Sequence, residues 1–173
     1  PLLKIKQQEL SISTPVNNMP VEIYKNLQHT QNPKGRVLLV FHLNFLRRDR
    51  GCSNHTYEIV KMLKEDGYAI DFFSADLFGI HEFDKLQELN EKEKLIDNFY
   101  FSNYRNAKNY KKSDDIHPWD INWVNDITRE FFNKVAIQNK YDYIYVHYIQ
   151  WADLLKERKK LFPNTKAVYH CQD

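Results

Sequence analysis

The stretch from Arg36 to Ser74 reads RVLLVFHLNFLRRDRGCSNHTYEIVKMLKEDGYAIDFFS, and its three parts decide the fold class. Val37-Leu38-Leu39-Val40-Phe41 is apolar without alternation, the pattern of a strand covered on both faces and so of a central parallel strand. After a polar loop, Ser53 or Asn54 offers a helix N-cap, Ile59, Val60, Met62 and Leu63 recur at helical spacing, and Gly67 supplies a stop. Tyr68 to Ser74 is a second strand-like run. A doubly covered strand joined through a helix to another strand is a parallel crossover unit.

Downstream the alternation persists. A charged helical stretch spans about Asp84 to Asp97, and Phe99-Tyr100-Phe101 makes a short third strand. A basic loop carries Arg105, Lys108, Lys111 and Lys112, after which Pro118 opens a long helix with Ile121, Val124, Ile127, Phe131 and Val135 on one stripe. Tyr143 to Tyr148 is a fourth strand, Trp151, Leu154 and Leu155 mark a fourth helix that Pro163 ends, and Ala167-Val168-Tyr169 is a fifth strand. Upstream, residues 1–34 are polar and interrupted by Pro15, Pro20 and Pro33; they read as an arm or linker with one short strand-like piece at Val21 to Tyr24. The expectation is an α/β fold, a Rossmann-like, doubly wound parallel sheet in three α/β/α layers over residues 35–173.

Of the 173 residues, 42% are hydrophobic and 14% aromatic, too apolar for a disordered chain and enough for one packed core. With 25 Lys plus Arg against 23 Asp plus Glu, the net charge of +2 carries no global signature of nucleic-acid binding, and no nucleic-acid partner is expected. Cys52 and Cys171 form no C-x-x-C pair and no leader-like segment opens the chain, which points to reduced thiols in a cytoplasmic protein. The apolar runs fall short of the about 20 residues that span a bilayer, which leaves peripheral membrane contact open. A chain that starts at Pro1 and stops at Asp173, directly after a strand-like run, is expected to be a piece of something longer.

Gly35, Gly51, Gly67 and Gly79 are too far apart for a dinucleotide fingerprint or a P-loop, and no G-x-S-x-G elbow is present. A phosphorelay receiver would want acids after the first strand and a Lys after the last, where His42 and His170 stand. What remains is positional. Ligands of open α/β sheets bind beyond the carboxyl ends of the strands, and His42, His147 and His170 sit at or next to such ends. Three imidazoles on one edge suit a polar pocket for hydroxyl-rich or phosphorylated ligands; the plainer alternative is that each bonds a loop carbonyl. The loop from Leu43 to Asn54 leads into a helix N-terminus, an anion site in principle, with Gly51 admitting a ligand and Arg47, Arg48 and Arg50 adding charge. Its plainer alternative is a solvated cap. The basic clusters at Lys108 to Lys112 and Lys156 to Lys160 are ordinarily solvated faces; otherwise they suit an anionic membrane surface.

Three segments in order resemble a known family. Arg36 to Ser74 resembles the opening of GT-B glycosyltransferases of the family 4 type, with a first strand, a Gly-containing loop, a helix and a "G-h-x-V" strand. Tyr141 to Tyr148, YDYIYVHY, resembles that family's "D-V-V-H-V-H" strand, and Lys166 to Asp173, KAVYHCQD, its "T-V-x-D-x-H-D" strand. The resemblance covers about residues 36 to 173. It implies the N-terminal, acceptor-side half of a two-domain enzyme that transfers a sugar from a nucleotide-sugar donor to a glycan, lipid-linked or protein hydroxyl, with the donor domain following in cis. It implies no cofactor and no metal, and an isolated chain that is inactive.

Carried over residue by residue, Gly51 matches the second Gly of the loop near the donor phosphate, with Arg50 in place of the first. His147 matches the last His of the fourth strand. Asp173 matches the Asp of the "H-D" pair, whose His falls on Gln172, with His170 two places earlier. The candidate catalytic residues are therefore His147, His170 and Asp173, and the candidate substrate contacts His42, Arg47, Arg50, Gly51, Cys52, Asn54 and Gln172. A noncatalytic α/β module docking a protein or an anionic membrane is the alternative. A small-molecule regulator using the same strand-end pocket is a third.

Overall fold

The computed structural model describes residues 19–75, 80–108, 110 and 124–170, with backbone alone for 80–83. Six strands form one sheet: β1 (Glu22–Asn26), β2 (Gly35–Val40), β3 (Tyr68–Ala75), β4 (Asn98–Ser102), β5 (Tyr143–His147) and β6 (Lys166–His170). Their order across the sheet is β1-β4-β3-β2-β5-β6. β1 pairs antiparallel with β4 and every other pairing is parallel. The stretch read as an arm thus supplies an edge strand, at the apolar piece that suggested one.

The period-2 side-chain alternation explains the layers. Val37, Leu39 and Phe41 of β2 face one side with Ile70, Phe72 and Phe99, where helix α1 (Gly51–Glu65) lays down Tyr57 and Val60, and α2 (Ile80–Glu93) lays down Leu86. Leu38 and Val40 face the other side with Phe73, Tyr100, Ile144 and Val146, under Phe131, Phe132 and Val135 of α3 (Asp126–Asn139). The fold is a Rossmann-like, doubly wound three-layer α/β sheet, as expected. Gly67 ends α1 with φ +88, a conformation costly for any side chain, as its reading as a stop required.

Three local readings are corrected. Helix α1 starts at Gly51 with Arg50 at the N-cap and no side-chain capping bond, so neither Ser53 nor Asn54 caps it; Ser53 is turned inward and fully buried. Helix α3 starts at Asp126, where the Asn125 side chain accepts from the Thr128 N–H at 2.9 Å, a strong local cap; Pro118 and Ile121 lie outside the described residues. The fourth helix is a 3₁₀ run over Ile149–Leu155 followed by the one-turn α4 (Arg158–Leu161). Buried Trp151 and Leu154 sit three apart, which suits a 3₁₀ turn as well as an α-helix. Among the described residues no helix is long and apolar enough to cross a membrane.

Candidate functional site

From β2 the chain winds outward through β3 to β4, then returns to the other side of β2 for β5 and β6. The connections leaving β2 and β5 therefore diverge, and a crevice opens beyond the carboxyl ends of these two neighbours. The sheet register fixes who lines it. His147 of β5 stands directly beside His170 of β6, ring centroids 4.9 Å apart. His55, from the first turns of α1, lies 4.6 Å from His170 and 6.4 Å from His147. His42 follows β2 and meets Tyr148 at 4.9 Å, and Phe41 packs on His147 at 4.6 Å. Three of the sequence candidates, His42, His147 and His170, are thus brought to one edge, joined by a fourth imidazole.

The protonation pattern follows from hydrogen-bond bookkeeping. Thr56 Oγ1 lies 2.9 Å from the Cys52 carbonyl, which can only accept, so the hydroxyl proton is committed there. Its 3.0 Å contact with His147 Nδ1 must then be donated by the ring. His147 accordingly carries its proton on Nδ1, and in the neutral ring Nε2 is the acceptor. His42 is held neutral: burial first, then the neighbouring His147 and the charge of Arg50, push its pKa from 6.5 down to about 3. Tyr148, pushed up to about 12 by burial and by its hydrogen bond with Cys52, stays a phenol. Its backbone, at φ 78 and ψ 144, sits in a region that side chains rarely adopt. Such strain, on the order of 1–3 kcal/mol, persists where surrounding contacts impose it, often at functional sites.

The amino end of α1 closes the crevice. The first helical bond runs from Asn54 N–H to Arg50 O at 2.9 Å, so the N–H groups of Gly51, Cys52 and Ser53 precede the helix's own ladder. The first turn holds no acidic side chain. Arg50, at the N-cap, lies close enough to His42 and Tyr148 for its charge to lower the pKa of both. Arg47 forms a 3.0 Å ion pair with Asp49, and Arg48 lies over the Tyr57 ring at 4.4 Å, so both are engaged with local partners. Gly51 is open-sided: a Cβ there would meet nothing within 4 Å. Asn54 is exposed and Cys52 half-buried. Gln172 and Asp173 lie outside the described residues.

Sequence reasoning missed Ser53, His55, Thr56 and Tyr148 as site residues. The first three carry a readable signal: once Gly51 is a helix start above a strand end, the next turn of that helix faces the same space. The strain at Tyr148 has none, because it arises from tertiary packing. Among the described residues no three His, Cys, Asp or Glu side chains are arranged to hold a metal ion.

No family model matches the chain and no curated protein matches it. A search of solved structures returns the U34-tRNA thiolase NcsA from Methanococcus maripaludis with its [4Fe-4S] cluster, at a TM-score of 0.47 and 11% identity. The match covers 80% of this chain, which spans about half, 52%, of that one. This corrects the sequence reading on several points. The finding is a tRNA-modifying enzyme and not a glycosyltransferase, so sugar transfer, the nucleotide-sugar and glycan partners and the half-GT-B assignment are withdrawn, and the docking-module alternative gains no support. The expectations of no nucleic-acid partner and of no cofactor are withdrawn too, since that protein is named for tRNA and for its cluster. The likeness is too distant to lend this chain an activity. Nor do the residues here fit such a cluster: two cysteines in the whole chain fall short of the Cys set that holds one.

Proposed function

We propose that this domain binds a polar small ligand, hydroxyl-rich or phosphorylated, in the crevice between the carboxyl ends of β2 and β5 and the amino end of α1. The observation that carries the reading is the convergence there of His55, His147 and His170 within 4.6 to 6.4 Å, from three different elements. His147, His170 and His42 serve as donors and acceptors to ligand hydroxyls, with Arg50, Gly51, Cys52 and Asn54 at the anionic end. Arg47, Gln172 and Asp173 complete the candidate set. The reading includes a cytoplasmic location, which the free thiol of Cys52 supports.

Imidazole ring resonances provide the test. A cell-extract fraction of small metabolites titrated into ¹⁵N-histidine-labelled protein should shift the rings of His147 and His170 and leave His29, which lies outside the crevice, unmoved. Shifts at His29 alone, or at no ring, would refute the reading. His147→Phe, which keeps a planar side chain, should abolish the response at His170.

A further inference from the structure

Ser53 is a fully buried residue whose Oγ has no hydrogen-bond partner among the described residues. A hydroxyl left so is costly relative to one that is paired or absent, so its presence calls for an occupant. Its direction follows from the helix. Thr56, one turn later on the same face, is directed at His147, so Ser53 lies over the strand ends one turn nearer the amino terminus. There it adjoins the N–H groups of Gly51, Cys52 and Ser53 at the head of a 15-residue helix that has no side-chain cap and no acid in its first turn. An uncapped helix start and a buried hydroxyl with nothing to bond favour the same kind of guest, an anion with several acceptor oxygens.

Charge favours the same guest. Arg50, the residue at the N-cap, lies close enough to His42 and Tyr148 for its positive charge to act on both, so a cationic side chain stands at the head of the helix where an anion would sit.

We propose that the first turn of α1 and Ser53 form a site for an oxyanion of the phosphate-monoester type. The inference rests on the ligand-crevice reading above and sharpens it. Ser53 Oγ donates to one anion oxygen and the helix N–H groups to others.

Titration calorimetry of the whole chain should show sulfate and inorganic phosphate binding at millimolar concentration. Ser53→Ala should weaken sulfate binding about tenfold. Sulfate binding unchanged in Ser53→Ala would overturn the proposal. So would the absence of any sulfate or phosphate binding at that concentration. In that event a metabolite mixture that still shifts His147 and His170 leaves the crevice reading standing; one that shifts neither removes both.

Discussion

Asp71, toward the amino end of the sheet, and Ser53, over its carboxyl end, are both fully buried. The Asp71 carboxylate accepts from Arg36 Nη2 at 2.7 Å, Tyr141 Oη at 2.6 Å and Asn98 Nδ2 at 2.8 Å. Nearby, Asp97 accepts from the Thr30 N–H and hydroxyl, the Ile70 N–H and Lys64. At the opposite edge Ser53 Oγ has no partner among the described residues, Tyr148 holds a strained backbone and four imidazoles crowd one crevice. Buried polar groups that close on one another specify and hold a fold; buried polar groups held open are expensive and persist where something else completes them. The two edges thus separate what keeps this sheet together from what it is for.

The largest expected effect breaks the closed edge. Asp71→Ala leaves the Arg36 guanidinium half-buried without its counter-charge and Tyr141 without an acceptor, and should cost about 3 kcal/mol in urea unfolding. Ligand-induced shifts at His147 and His170 should persist in the folded fraction, since the network lies at the far end of the strands. Equal damage to the crevice response would mean that the edges are not separable.

Acid should act next, through the open edge. Unfolded, His42 titrates near 6.5; folded, burial and its cationic and imidazole neighbours hold it at about 3. In between, the unfolded chain binds the proton and the native one does not. The contribution of His42 is therefore whole above about pH 6.5 and lost as pH falls toward 3, at up to about 1.4 kcal/mol per pH unit. The difference between wild type and His42→Gln, measured by urea unfolding from neutral to acid pH, should show that slope; parallel profiles would contradict the neutral assignment. Smaller still, and opposite in sign to Asp71→Ala, Ser53→Ala should stabilise the ligand-free protein by about 1 kcal/mol, because an unmade hydrogen bond is removed along with its hydroxyl. A loss of stability would show that Ser53 is satisfied internally.

How much of this the sequence disclosed follows from what each signal is made of. The strand at Val37 to Phe41, the helix stripe at Ile59 to Leu63 and the stop at Gly67 are local patterns, and they placed the layers and sent His42, His147 and His170 to one edge. The start of α1 was misread because Ser53 is a good cap by residue type, whereas packing against the sheet turned its hydroxyl inward. Asp71 sits in a mostly apolar strand, and nothing local shows that Tyr141, 70 residues on, supplies its hydrogen bond. The family resemblance failed for a related reason: strand-end histidines and a Gly loop are what the architecture itself favours, so their order describes a doubly wound sheet before it describes any one chemistry.

The smallest effects make the sharpest contrast, because one substitution can be made at both edges. Gly35 opens β2 at the closed edge, where a Cβ would come within 2.9 Å of Asp142 Oδ2 and 3.0 Å of the Tyr68 ring. That carboxylate is tied to the Arg36 N–H at 2.8 Å, so it cannot retreat without giving up the bond. Gly35→Ala should therefore destabilise by about 1 kcal/mol. At Gly51, in the helical first turn of α1, a Cβ meets nothing within 4 Å, and the gain in helix propensity with reduced freedom of the unfolded chain should stabilise by about 0.5 kcal/mol. The same methyl group projects from the first turn, where the sulfate probe is expected to bind, so Gly51→Ala should weaken sulfate binding while raising the unfolding midpoint. Stability and binding moving together at Gly51 would place the anion elsewhere; moving apart, they locate it at the head of α1.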